Sequence, residues 1–332
     1  MMFYVFHMKD GLLYSGFSVY GDYAPHTAMM RSFSRGNNFP TQYPHYGGQD
    51  VKYHFMFQFL VGNLEYLGLR LDLGYNLVSI MSLSGFLMAL YGISYRMFRS
   101  FWAGAAAMVF FFFRSGTAFW QYLWENAKAG NLIQALKENT AFIGYTTNEN
   151  WGLWNFNVYL NQRHLAFGLL IVAVAVWIFM DWVEAGCGHK EHGWLWIRKR
   201  IFSKEAWAFR NVEIAILLGL FLGLTAFWNG AALIGGLLIL AFAVFSDGKL
   251  DYAVCAALAV FFSELQSKIF VSGSVMSPSF YWGFLAENKS ISGVLWYLVE
   301  ISGFFFVGLV VASVFFKRNE RVVLGGLRLW CP

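Results

Sequence analysis

Apolar residues run in long blocks through most of this chain, and polar residues gather between the blocks. A helix that crosses a bilayer needs about 20 predominantly apolar residues. Seven stretches approach that length: roughly Tyr75 to Tyr95, Phe101 to Phe119, Leu165 to Val183, Val212 to Trp228, Ala231 to Phe245, Tyr252 to Ile269 and Ser292 to Phe316. The fifth is short and the second carries Arg114. The pattern predicts an all-α polytopic membrane protein, a bundle of about seven transmembrane helices with further helices lying at its outer face.

Residues 1–74 read differently. Asp22 precedes Tyr23-Ala24-Pro25, an N-cap residue followed by proline in the first turn, which predicts a helix running to about Phe33 with His26 one turn above Asp22. Gly36-Asn37-Asn38-Phe39-Pro40 ends it, and Tyr43-Pro44-His45-Tyr46-Gly47-Gly48 continues as an aromatic-rich loop suited to lining a sugar site. From Tyr53 to about Leu71 the polar residues His54, Gln58, Glu65 and Asp72 fall within an arc of about 40° at helical periodicity, with Val61 intruding. That stripe predicts a second helix lying in the interface.

Composition and charge then fix the class and the sidedness. The chain is 58% apolar, 20% aromatic and 13% charged, with 5 prolines, which excludes a disordered or ordinary soluble protein. Three cysteines, Cys187, Cys255 and Cys331, show no metal-type spacing and imply no disulfide framework. The net charge of +5 implies no nucleic-acid partner, because the basic residues sit between spans as topology signals. Arg96 and Arg99, the cluster from His189 to Arg210, and Lys317 to Arg328 all fall on one side, which is therefore cytoplasmic. The predicted organisation is an extracytoplasmic segment 1–74 carrying the candidate site, and a transmembrane bundle 75–316. The bundle has an outer loop 115–164 and a cytoplasmic loop 184–211, and a cytoplasmic tail 317–332 follows. Since 1–74 must cross the membrane and Met1 to Met8 is only a short apolar stub, a transmembrane helix upstream of this sequence is expected.

These residues resemble a known family. Gly21-Asp22 to His26, Asn37-Asn38-Phe39-Pro40, Tyr43-Pro44, Gly47-Gly48 and Tyr53-His54-Phe55, together with Asn161-Gln162-Arg163-His164 before a span, resemble the GT-C superfamily of membrane glycosyltransferases. The match is to uncharacterised bacterial members, related to the proteins named for a Tyr-Tyr-Tyr run, where this chain has Lys52-Tyr53-His54. The resemblance covers about residues 10 to 100 and 150 to 185. It implies a first helix before the acidic loop, a polyprenyl-phosphate-linked sugar as donor, and residence in the bacterial cytoplasmic membrane among its lipids, with the site on the extracytoplasmic face.

Sugar transfer from a lipid phosphate needs a base for the acceptor's proton and cations for the departing phosphate. Asp22 is the candidate base, with His26 positioning it; the competing role for Asp22 is capping its helix, worth about 1 kcal/mol. Arg163 and His164, at the outer end of a span, are the candidate phosphate contacts, set against an aromatic belt of Trp151, Trp154 and Tyr159 in which Arg163 is an interfacial anchor. Tyr53, His54 and Gln162 complete the substrate-binding set. A divalent metal ion on Asp22, His26 and His54 suits the donor types, although no spacing requires one. The alternative function is a transporter or lipid translocator using intramembrane Glu300 and Glu264, the latter also able to pair with Lys268 one turn away. No phosphate-binding loop, dinucleotide fingerprint, Cys-x-x-Cys pair or nucleophile elbow is present.

Overall fold

The computed structural model describes residues 1–16, 20–113, 117–139, 159–186, 198, 202–204, 207–247, 249–270, 280–283 and 285–302. Helices dominate. The long or apolar ones are α4 (Leu71–Phe98), α5 (Phe101–Phe113), α8 (Arg163–Gly186), α9 (Val212–Leu224), α10 (Gly230–Asp247), α11 (Leu250–Phe270) and α12 (Ile291–Ser302), one at each of the seven apolar stretches. Among the described residues, three helices are long and apolar enough to cross a membrane: α4, α8 over Arg163–Asp181, and α11. α5, α9, α10 and α12 are apolar but shorter. Arg114, Trp151, Trp154, Cys187, Cys331, most of 184–211 and the segment 303–332 lie outside the described residues.

α4 and α8 run parallel, and polar pairs mark both ends of their contact. Arg163 bonds Asn76 at one end, and Arg96 meets Asp181 and lies over the Trp177 ring at the other. Between them Gly85 and Gly92 leave room for Leu170 and Trp177. α9 packs on α11 through Gly219 and Gly223, where an added Cβ would lie 2.8 Å from the Cys255 carbonyl oxygen and 2.9 Å from that of Ala259. Small residues at four-residue spacing let two helices approach where no water is present to drive association. α10 closes against both α8 and α11. Asn229 caps it, its Oδ1 accepting from Ala232 N at 2.9 Å, so Asn229-Gly230 makes the expected turn between spans. The outward residues, among them Met81, Met88, Leu217, Phe261 and Ile269, stay exposed and apolar.

The N-terminal region adds two short hairpins to a structure that is otherwise mostly helical, consistent with the all-α expectation. A short helix α1 (Met2–Val5) leads into an antiparallel hairpin of β1 (Phe6–Lys9) and β2 (Leu12–Ser15), and a second small hairpin pairs β3 (Gln42–Tyr43) with β4 (Tyr46–Asp50). Within Met1 to Met8, Met2, Val5 and Phe6 are buried in one cluster with Tyr75 and Leu71. After a 3-10 turn at Tyr20–Asp22 comes α2 (Tyr23–Arg35), two residues longer than expected. The predicted interfacial helix from Tyr53 to Leu71 is divided. α3 spans only Met56–Tyr66, Gly68 takes a φ of +100°, and α4 begins at Leu71. Only a residue without Cβ adopts that conformation readily, so the helix stops there. His54 lies ahead of α3, and Asp72 belongs to α4, fully buried against Arg70 and the Met8 amide. Glu65 stays on the stripe and fastens α3 to α2, pairing with Arg31 at 2.9 Å and accepting from Ser34 at 2.6 Å. Gly62 brings the two helices together, since a Cβ there would stand 2.6 Å from the Met30 carbonyl oxygen. α6 (Thr117–Lys128) and α7 (Leu132–Glu138) follow α5.

Candidate functional site

Asp22 occupies the N-cap position of α2, yet its side chain makes no capping bond. Its Oδ2 instead accepts from Asn161 Nδ2 at 2.6 Å and Gln162 Nε2 at 2.7 Å, groups 139 and 140 residues away in sequence. A carboxylate that only capped its helix would turn inward to the N2 or N3 amide. This one is held at the wall of a cavity of about 280 Å³. The same wall carries His26, Tyr53, His54 and Gln162. Tyr43 and His45, from the second hairpin, complete the aromatic-loop contribution that the sequence pattern predicts.

The histidines stand close together. The ring of His54 is 3.7 Å from that of Tyr53 and 4.4 Å from that of His164, and His26 is 5.3 Å from His164. Tyr53 Oη lies 3.2 Å from His164 Nε2 and 3.4 Å from Gln162 Oε1, tying the segment before α3 to the first turn of α8. From α3, Gln58 Nε2 reaches His26 Nδ1 at 2.7 Å. Burial pushes the His54 imidazole down to about 4, helped by His26. Burial also lowers His26, against the opposing pull of Asp22. Tyr53 is pushed up to about 12, by burial and then by the charge on Asp22. At neutral pH, therefore, His54 and His26 act as neutral hydrogen-bonding groups and Tyr53 keeps its proton. Among the described residues, no group of three or more His, Cys, Asp or Glu is arranged to hold a metal ion, so Asp22, His26 and His54 share a cavity without forming a ligand set.

Arg163 stands apart from the expectation. Its side chain is fully buried, with Nε donating to Leu160 O at 2.9 Å, Nη1 to Asn76 Oδ1 at 2.5 Å and Nη2 to Met2 O at 3.4 Å. The guanidinium sits 4.3 Å above the Tyr75 ring, with Phe6 and Tyr23 beyond. It is neither an interfacial anchor nor a group facing a lipid phosphate. It is the centre of an internal knot, which desolvates the cation over aromatic faces. Tyr23 Oη also donates to Leu160 O at 2.8 Å, so the knot fixes the turn that carries Asn161 and Gln162.

Asn161, Gln58, Asn76 and Tyr75 were the residues whose roles sequence reasoning missed. Gln58 sat on the polar stripe and Asn161 in the motif before the span, but neither position named a partner. The cavity lies at the α8 end marked by Asn76 and Arg163, away from the end bearing Arg96. Elsewhere in the bundle, Glu264 and Lys268 form no ion pair with each other, and Glu300 is half-buried on α12. Compared with protein-family models, curated proteins and solved structures, the chain matches none.

Proposed function

We propose that this chain is a membrane glycosyltransferase of the GT-C kind, moving a sugar from a polyprenyl-phosphate donor to an acceptor hydroxyl on the extracytoplasmic face of a bacterial cytoplasmic membrane. One observation carries the reading: Asp22 forgoes its helix cap and is held by Asn161 and Gln162 at the wall of a cavity that also contains His26, Tyr53 and His54. Two amide donors and a fixed helix start orient the carboxylate, which is what a base must have before it can act. In the reaction, the acceptor oxygen attacks the anomeric carbon and loses its proton to Asp22. The carbon–oxygen bond to phosphate breaks, and its electron pair leaves with the polyprenyl phosphate, inverting the anomeric centre. The neutral histidines and Tyr53 hold hydroxyl groups, and the cavity's position at the end of the bundle away from Arg96 agrees with an outer-face site.

The test is mass spectrometry of lipids and surface glycans from cells lacking the full-length gene, complemented with wild type or Asp22→Asn. Loss of one sugar from a carrier lipid or acceptor, restored by wild type and not by Asp22→Asn, is expected; general-base removal costs about 10²- to 10⁴-fold in rate. Full rescue by Asp22→Asn removes the proposed base.

A further inference from the structure

We propose that the cavity admits the uncharged, hydroxyl-bearing part of its ligand and that the phosphate is held outside it, an inference that rests on the transferase reading. Two independent features of the wall lead there. The first is charge: Asp22 is the sole Asp, Glu, Lys or Arg among the described residues lining the cavity, so the wall carries a negative charge with no fixed cation to offset it. The cation that the sequence pattern offers for a phosphate, Arg163, is withdrawn into the knot with Leu160, Asn76 and Met2. A phosphate entering the cavity meets a carboxylate against a protein wall, where like charges repel more than in bulk water.

The second feature is hydrogen-bonding capacity. Gln58, buried to 2% exposure, spends its amide nitrogen on His26 and leaves Oε1 buried without a partner. His54 Nε2 is likewise buried and unpartnered. A buried acceptor left unpaired has lost its water without a replacement, a cost that a ligand O–H recovers on binding. Hydroxyl groups donate and accept; a phosphodiester anion only accepts, and so cannot satisfy Gln58 Oε1 or Asp22. Tyr43, Tyr53 and Phe55 supply apolar faces for the C–H side of a ring. An acceptor-rich, anionic, aromatic-walled cavity of about 280 Å³ is shaped for one uncharged sugar ring or polyol.

Saturation-transfer NMR on the purified full chain in nanodiscs tests this with a panel of neutral methyl hexosides and with dimethyl phosphate, an anion that has no sugar ring to place in the cavity. At least one neutral hexoside should bind tenfold or more tightly than dimethyl phosphate, and Asp22→Asn should narrow that ratio by removing the repelling charge. Gln58→Leu, a substitution of similar size, should weaken the neutral ligand while leaving thermal unfolding in place, and His54→Phe serves the same end should Gln58→Leu fail to fold. Equal or tighter binding of dimethyl phosphate overturns the proposal, and so does failure of every neutral hexoside to bind at its solubility limit. A neutral preference in a protein whose Asp22→Asn form fully restores glycans sinks the transferase reading alone. A phosphate preference alongside Asp22-dependent glycan transfer sinks this inference alone.

Discussion

The site layer and the α9–α11 pair are both closely packed, and they achieve it by opposite means. Along its length α9 meets α11 through absent side chains, Gly219 and Gly223 letting its backbone approach Cys255 and Ala259, while side-chain hydrogen bonds join the pair at one end, where Asp251 accepts from the Arg210 and Asn211 amides. The site layer is assembled from directional bonds between residues far apart in sequence, Asp22 to Asn161 and Gln162, Tyr23 to Leu160, and Arg163 to Asn76 and Met2. Close helix packing tolerates exchange among small residues because dispersion forces have no direction. A network of buried hydrogen bonds does not, since each missing partner strands a desolvated group. A chain needs the second kind of construction only where particular atoms must be held in particular places.

The strongest way to break the contrast is Arg163→Met. It removes three donated hydrogen bonds and a cation buried on aromatic rings, and strands Asn76 Oδ1, while Leu160 O keeps its bond from Tyr23. A loss of roughly 3 kcal/mol is expected, read as a lower midpoint of thermal unfolding in detergent. Asp22→Asn keeps the side chain's shape at the cavity wall and should leave that midpoint nearly unchanged. If the two variants melt alike, the knot does not carry the site layer.

Acid should separate the two regions next. The His54 imidazole titrates near 6.5 when unfolded and near 4 when folded, so between those values the unfolded chain binds more protons. Stability therefore falls as pH drops from 6.5 through 4, by an amount on the order of 2 kcal/mol, and is flat in this respect above 6.5. Amide hydrogen exchange followed across that range should quicken in α2 and α3 before α9 and α11. His54→Phe should make the acid limb shallower, leaving the part that the lowered His26 contributes, and an unchanged limb would show that other groups set it.

The smallest effect sharpens the other side. Gly223→Ala places a Cβ 2.6 Å from the Phe262 Cβ and 2.9 Å from the Ala259 carbonyl oxygen, an overlap worth about 1–3 kcal/mol. Gly235→Ala, with open space at its Cβ, should gain about 0.5–1 kcal/mol from helix propensity alone. Opposite signs in thermal unfolding would mark α9–α11 as a contact governed by close approach; equal signs would contradict it.

The apolar blocks and their punctuation were enough to place every long helix, because a helix long enough to cross a bilayer shows in the sequence as an unbroken run of apolar side chains. Asn229-Gly230 was legible as a turn for the same reason: its chemistry is local. The two hairpins were not, their strands being too short to establish a period of two, and the break at Gly68 was hidden inside a stripe that continued through it. The residue types of the site, a carboxylate, three histidines and a tyrosine, also stood in the sequence. Which of them meet was decided by the tertiary structure. Asp22 left its own helix for Asn161 and Gln162, and Arg163 turned from the surface into an aromatic cage. A side-chain hydrogen bond depends on where two distant backbones cross, and periodicity within either one says nothing about that crossing.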